Sequence, residues 1–67
     1  MNQMNFVPDD LLAALKGHPE AAARFERLPA SHQREYVRWI EEAKRDATRQ
    51  RRIAKTLEML LASDEAN

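Results

Sequence analysis

Cysteine is absent from this 67-residue sequence, and glycine occurs only once. The absence of cysteine excludes disulfide bonds and thiolate metal ligands. The single glycine, together with only two Val, two Ile and two Thr, leaves little provision for hairpins and strands. The remaining composition is rich in Ala, Leu, Glu and Arg, all strong helix formers. We therefore expect an all-α fold.

The sequence also lacks a net charge and long apolar runs. Eleven basic residues balance eleven acidic ones, so no overall field draws the protein to nucleic acid or to a membrane. Apolar runs are short, as at residues 59–62, whereas a membrane-spanning helix needs about 20 apolar residues. Residues 1–5 show neither the basic nor the apolar region of a signal peptide. These features predict a cytoplasmic protein without a membrane span.

The length of the chain leaves room for one domain, residues 1–67. We expect order over about residues 6–62 and flexible ends. A chain this short buries only about 60% of the surface that it exposes when unfolded. Its core must therefore be packed efficiently or shared with a partner.

Proline, glycine and capping residues divide the chain into four predicted helices, at about 8–16, 19–28, 32–45 and 47–62. Pro8 and Pro19 suit first helical positions. Gly17 suits a helix C-terminus in the left-handed conformation. Pro29 should end the second helix, because the residue before a proline leaves the α region. Together these signals predict a compact bundle of four short helices.

The boundary between the third and fourth helices depends on two features. Ser31 and Asp46 suit the N-caps of these helices. The apolar phase is interrupted between Ala43 and Ile53, which favours a tight turn. One continuous helix is the alternative.

Apolar residues recur at helical spacing in each segment and predict a shared core. They are Leu11, Leu12 and Leu15; Ala21, Ala22, Phe25 and Leu28; Tyr36, Val37, Trp39, Ile40 and Ala43; and Ile53, Leu57, Leu60 and Leu61. Phe6 is a candidate to fold onto this core. We expect Trp39, the single tryptophan, to be its main residue; an exposed stacking platform with Tyr36 is the alternative.

One longer pattern joins the last two helices. It reads Tyr36-x-x-Trp39-Ile40-x-x-Ala43-Lys44-x-x-x-Thr48-Arg49-x-x-Arg52-Ile53. With residues 7–15 and 25–29 before it, this pattern resembles the YdeI/OmpD-associated family, also called bacteriocin-protection-like proteins, over about Phe6 to Leu61. The resemblance implies a bacterial helical domain that often follows a separate β-rich domain and here stands alone. The family name refers to bacteriocin tolerance and to an outer-membrane porin, and it implies no defined molecular activity.

The basic segment, residues 44–55, is the strongest candidate for a functional surface. It holds six cations and one acid, Asp46. Two helices joined by a tight turn, with arginines on the second, suggest a helix-turn-helix that binds nucleic acid. We favour a structural interpretation, in which the cations pair with Glu41, Glu42 and Glu58, because helix-turn-helix domains usually carry net positive charge.

Four polar members of the family pattern form a candidate binding site for an anion or an acidic partner: Lys44, Thr48, Arg49 and Arg52. They lie near the start of the fourth helix, where free N–H groups favour negative charge. In the structural alternative, Thr48 and Arg49 serve the helix cap, and Arg52 bridges a carboxylate such as Glu42.

No residue pattern predicts catalysis, a metal or a cofactor. His18 and His32 have no cysteine or correctly spaced histidine beside them, so they predict turn or first-turn positions and no metal site. Ser31 has no partners for a nucleophilic triad. We therefore predict a non-catalytic protein-interaction module, bound to another protein and open to weak self-association. Nucleic-acid binding through residues 44–55 is the alternative.

Overall fold

The computed structural model describes residues 6–65, with side chains described for residues 6–62. Within these residues it contains four helices and no strands, which confirms the all-α prediction. The helices are α1 (Asp9–Lys16), α2 (Pro19–Arg27), α3 (Ala30–Glu41) and α4 (Asp46–Glu65). The predicted flexible ends lie outside the described residues, except that α4 continues past its predicted end at residue 62.

Helix α4 is the element around which the others pack. It contacts α1, α2 and α3, and α1 also packs against α2. At 20 residues it is about 30 Å long, close to the 34 Å longest dimension of the molecule. No helix among the described residues is long and apolar enough to cross a bilayer.

The core draws residues from every helix and from the segment before α1. Its buried members are Val7, Leu11, Leu15, Ala21, Phe25, Val37, Ile40, Ile53 and Leu60. Phe25 is the largest fully buried side chain. Phe6 is 38% exposed and is not part of the buried core, whereas Val7 is buried. The predicted apolar stripes thus supply the core, with some members only half-buried at its edge.

Trp39 does not have the position that the sequence predicts for it. Together with Tyr36, it is half-buried and packs against the core from outside. The buried stripe of α3 is Val37 and Ile40, and Trp39 lies to one side of that stripe. Phe25, and not Trp39, is the main core residue.

Thr56 is a core residue that the apolar pattern missed. Its side chain is fully buried, and its hydroxyl donates a hydrogen bond to the carbonyl of Arg52, 2.9 Å away. This local bond satisfies the polar group, so burial costs little. Its spacing from Ile53 and Leu60 places it on the buried face of α4.

Gly17 ends α1, but not through a left-handed conformation. Its φ is −79° and its ψ is −7°, a right-handed geometry, so that prediction was wrong. The end of the helix is satisfied in other ways: the Gly17 N–H donates to the Ala13 carbonyl at 3.2 Å, and His18 Nδ1 donates to the Ala14 carbonyl at 3.0 Å. The chain therefore passes from α1 to α2 without a left-handed residue.

The prolines set the boundaries more strongly than the polar caps do. Pro8 is the extended residue before α1 and not its first helical residue, whereas Pro19 begins α2 as predicted. Leu28 is extended before Pro29, so α2 ends one residue earlier than expected.

Helix α3 begins before the serine that was predicted to cap it. Pro29 is extended (ψ 151°), and α3 starts at Ala30, so Ser31 lies inside the first turn and is not the N-cap. The carbonyl of Pro29 accepts the N–H groups of His32 and Gln33. The restricted φ of Pro29 is compatible with this extended entry into α3.

The predicted break between the third and fourth helices is confirmed. Helix α3 ends at Glu41, earlier than the predicted residue 45, and α4 begins at Asp46. Asp46 is the first helical residue and not the cap, since the carbonyl before it, on Arg45, accepts the Arg49 N–H at 3.0 Å. Its carboxylate still lies at the positive end of the helix dipole.

Candidate binding groove on the α3–α4 hairpin

Helices α3 and α4 form an antiparallel hairpin. Trp39, late in α3, contacts Arg52, early in α4. Met59, late in α4, lies across a groove from His32, early in α3. The buried residues of each helix face the core. A second row of residues on each helix lies beside them, and these two rows meet on the solvent-facing side of the hairpin.

One half of this outer side is an apolar groove of about 330 Å³. It is lined by Leu28, His32, Glu35, Tyr36, Trp39 and Met59. The α3 members recur at spacings of three and four residues, the pattern of one helical face. We call this the apolar half. Glu35 gives it one negative charge.

The other half lies nearer the turn between the helices and has a volume of about 240 Å³. It is lined by Trp39, Thr48, Arg51, Arg52 and Lys55. Three of these residues are cations, and we call this the basic half. Trp39 lines both halves, and we call the two together the hairpin groove.

Arg52 joins the two helices at the centre of this groove. Its Nη1 donates to the carbonyl of Trp39 at 2.7 Å, and its guanidinium carbon lies 5.3 Å from the centre of the indole ring. The Trp39 carbonyl is in the last turn of α3, where carbonyls lack helical partners and carry the negative end of the dipole. Arg52 therefore caps α3 and stacks on its tryptophan, instead of bridging Glu42 as the structural alternative expected.

Arg49 faces away from the groove, towards α1. Its Nε and Nη2 donate to the two carboxylate oxygens of Asp10 at 2.8 and 3.0 Å. Asp10 also accepts the Leu11 N–H at 2.9 Å. This two-bond fork, with the side chains 23% and 29% exposed, ties α1 to α4 across 39 positions of sequence.

The fork also sets the ionisation of both groups. The hydrogen bond from Arg49 holds the pKa of Asp10 below its ordinary value of 3.8, against the opposing effect of burial. The hydrogen bond to Asp10 raises the pKa of Arg49 in return. Both groups are therefore charged near neutral pH.

The four predicted site residues do not converge. Thr48 and Arg52 line the basic half, Arg49 pairs with Asp10, and Lys44 is exposed in the turn between the helices. Arg51 and Lys55, which were not among the predicted site residues, complete the basic half. Their spacing from Thr48, three and seven residues, was the available signal, because it places all of them on one helical face.

The predicted pairing of the basic segment with acids holds for one of the named carboxylates. Lys55 Nζ lies 3.3 Å from a carboxylate oxygen of Glu58, with both side chains largely exposed. Such an exposed pair contributes little to stability. Asp10, which no local pattern connects with the segment, supplies its closest ion pair.

The two histidines lie near the starts of different helices. His18 is the residue before α2 and bonds to a backbone carbonyl, and His32 is in the first turn of α3, at the rim of the apolar half. No group of three metal-binding side chains occurs among the residues that the structure describes.

The sequence model of the bacteriocin-protection, YdeI or OmpD-associated family matches residues 6–63, most of the chain. The chain belongs to this family. No curated protein and no solved structure matches it.

The structure gives residues of the family pattern physical roles in this family member. Trp39 and Arg52 connect the end of α3 with α4, and Arg49 holds α1 against α4. Ile40 and Ile53 lie in the shared core. In this chain, much of the pattern therefore builds the hairpin and its attachment to α1.

Proposed function

We propose that this family member is a non-catalytic protein-interaction module and that the hairpin groove is its binding surface. The single observation that carries the proposal is that an apolar cavity and a basic cavity lie side by side on the hairpin and share Trp39 as a wall. Exposed grooves that combine half-buried aromatic, Met and Arg side chains are typical of recognition surfaces. Tyr36 and Met59 provide that composition beside Arg52.

The dimensions of the groove suit a segment of another protein. From Thr48 to Met59 the axis of α4 rises about 16 Å. This length accommodates about five extended residues or three turns of helix. A short extended or helical segment of a partner therefore matches the length of the groove.

Nucleic acid, the alternative partner, fits the groove less well. A polyanion that lay along the full groove would bring phosphates against Glu35 in the apolar half. One basic residue of the segment, Arg49, is already engaged by Asp10. Trp39 is covered by Arg52, which leaves its ring less open for stacking on a base.

Affinity capture from a lysate of the source organism tests the proposal. Wild type is compared with Met59→Glu, which adds a carboxylate to the apolar half, and with Ala54→Glu, which adds the same group on an exposed face of α4 outside the groove. We expect a protein that wild type and Ala54→Glu retain and Met59→Glu loses. Thermal unfolding followed by circular dichroism controls for folding of all three.

Two results would contradict the proposal. One is that the three forms retain the same proteins, or none, at low salt. The other is that nucleic acid alone is retained and is released steeply as salt rises. Sedimentation of the purified chain separates self-association through the groove, which Met59→Glu would abolish, from binding of a different protein.

A further inference from the structure

The two halves of the hairpin groove differ in charge, and this difference gives the groove a direction. The basic half, beside the α3–α4 turn, presents Arg51, Arg52 and Lys55, of which Lys55 also contacts the exposed carboxylate of Glu58. The apolar half, towards the start of α3, presents Glu35 as its acid. A bound segment therefore meets positive charge at one end and apolar surface with a carboxylate at the other.

We propose that the groove binds an acidic linear segment of another protein in one orientation, with its carboxylates at the α3–α4 turn and a bulky apolar side chain beside Met59. This inference rests on the proposed function and adds the class and direction of the partner. Charge complementarity selects the occupant, because carboxylates are attracted by the basic half and repelled by Glu35.

Arg52, at the centre of the groove, can bind the partner as well as stabilise the fold. Arg52 uses Nη1 on the Trp39 carbonyl, whereas a guanidinium carries five N–H donors. Its position is fixed by that bond and by the indole ring, so a carboxylate meets a donor that is already oriented. Arg51 is exposed next to it.

The apolar half supplies the anchor site for the other end of the segment. Leu28 and Tyr36 are half-buried in its walls, and Met59 is half-buried opposite them. Methionine adapts to apolar side chains of different shapes. The site therefore favours one large aliphatic or aromatic side chain without demanding a particular residue.

A peptide selection on the full chain tests the inference. Random twelve-residue peptides displayed on phage are selected on wild type and counter-selected on Met59→Gln, which makes the apolar half polar without adding a charge. We expect the recovered peptides to carry two or more carboxylates on one fixed side of a bulky apolar residue. Binding of synthetic, tryptophan-free peptides is then followed by the fluorescence of Trp39, the only tryptophan in the chain.

Charge reversal gives the matched control. Arg51→Glu with Lys55→Glu should weaken binding of a selected peptide at least tenfold, and added salt should weaken wild-type binding. Arg34→Glu with Arg38→Glu makes the same change in charge at the same spacing on the exposed side of α3, and should leave affinity within about twofold.

The direction is tested separately. A peptide with the same residues in reverse order should bind wild type at least tenfold more weakly. Glu35 is exposed, so Glu35→Lys changes the charge of the apolar half without altering the core. This variant should reduce the preference for the selected peptide over its reversed sequence to about threefold or less.

The results separate this inference from the proposed function. Peptides that depend on Met59 but are neutral or basic, or that bind equally well when reversed, would overturn the inference and leave the groove as a binding surface. Equal binding of a twelve-nucleotide DNA strand would also overturn it, since charge alone would then suffice. If no recovered peptide depends on Met59, the binding surface itself is wrong.

Discussion

Two arginines on consecutive turns of α4 show how differently one basic segment can be used. Arg49 and Arg52 both belong to the family pattern, yet their guanidinium groups face different parts of the molecule. Arg49 forms a two-bond ion pair with Asp10 of α1. Arg52 caps α3 and covers one face of Trp39 at the surface groove. One side of α4 thus holds the bundle together, while the other supports a surface that a partner can reach.

Stability should fall most when the inward side of α4 is changed. Ile53 is 4% exposed, and truncation of a buried isoleucine to alanine costs about 3 kcal/mol through lost burial and the cavity left behind. For a domain of this size, that is a large part of the free energy of unfolding. Urea unfolding of Ile53→Ala measures it. The control, Ala54→Gly on the exposed side, should cost about 1 kcal/mol, the propensity effect alone. Equal losses would refute the distinction between the two sides.

Removal of Arg52 should have the next largest effect on stability, because Arg52 both caps α3 and stacks on Trp39 at the groove. Arg52→Met keeps much of the aliphatic stem but leaves the Trp39 carbonyl without its charged donor and the indole without its cation. We expect a loss of about 1–2 kcal/mol in the free energy of unfolding, with a change in Trp39 fluorescence. If stability is lost and the emission is unchanged, Arg52 does not stack on Trp39 in solution.

The Asp10–Arg49 fork should contribute about 1 kcal/mol, since its geometry is good but both side chains are about a quarter exposed. A double-mutant cycle with Asp10→Asn and Arg49→Gln isolates this coupling from the other losses. A coupling near zero would show that the fork does not hold α1.

The same pair predicts a dependence of stability on pH. The pKa of Asp10 is lower in the folded chain than its ordinary value of 3.8, so the folded state binds this proton less readily than the unfolded state. The pair's contribution is therefore fully present above about pH 4 and is lost as pH falls through the lowered pKa. The difference in unfolding free energy between wild type and Asp10→Asn should shrink over that range. A difference that stays constant down to pH 2 would exclude this assignment.

The smallest effect on stability should come from the exposed cations of the basic half. Arg51→Gln with Lys55→Gln removes two charges and one exposed ion pair, which should change the free energy of unfolding by less than about 0.5 kcal/mol. Because the partner that we propose is acidic, the same variant should still weaken its capture. A loss of both stability and binding would mean that the outer side also holds the fold.

The helices themselves could be predicted because their signals are local. Pro19 and Pro29 restrict their own and neighbouring backbone angles, and the stripe from Ile53 to Leu60 repeats at helical spacing. The errors occurred where two local signals competed. Pro29 set the start of α3 ahead of Ser31, and side-chain and backbone bonds ended α1 without the left-handed turn that Gly17 allows.

The candidate site could be predicted only in part. Helical spacing placed Thr48 and Arg52 near each other, and both line the basic half. Helical spacing could not show that Arg49 lies outside the groove, because residues three positions apart lie on the same broad face of a helix. The partner of Arg49 is 39 positions away in sequence, so no pattern within α4 reveals it.

By itself, the sequence determined the all-α class, the break before α4, most of the core residues and the family. These properties follow from backbone restrictions and apolar periods that act within a few residues. Tertiary structure decided that Phe25 fills the core, that Trp39 lies half-buried between two halves of a groove, and that Arg49 and Arg52 face different neighbours. Those outcomes depend on how α1 and α3 pack against α4, because the environment of a side chain is set by helices that are distant in sequence.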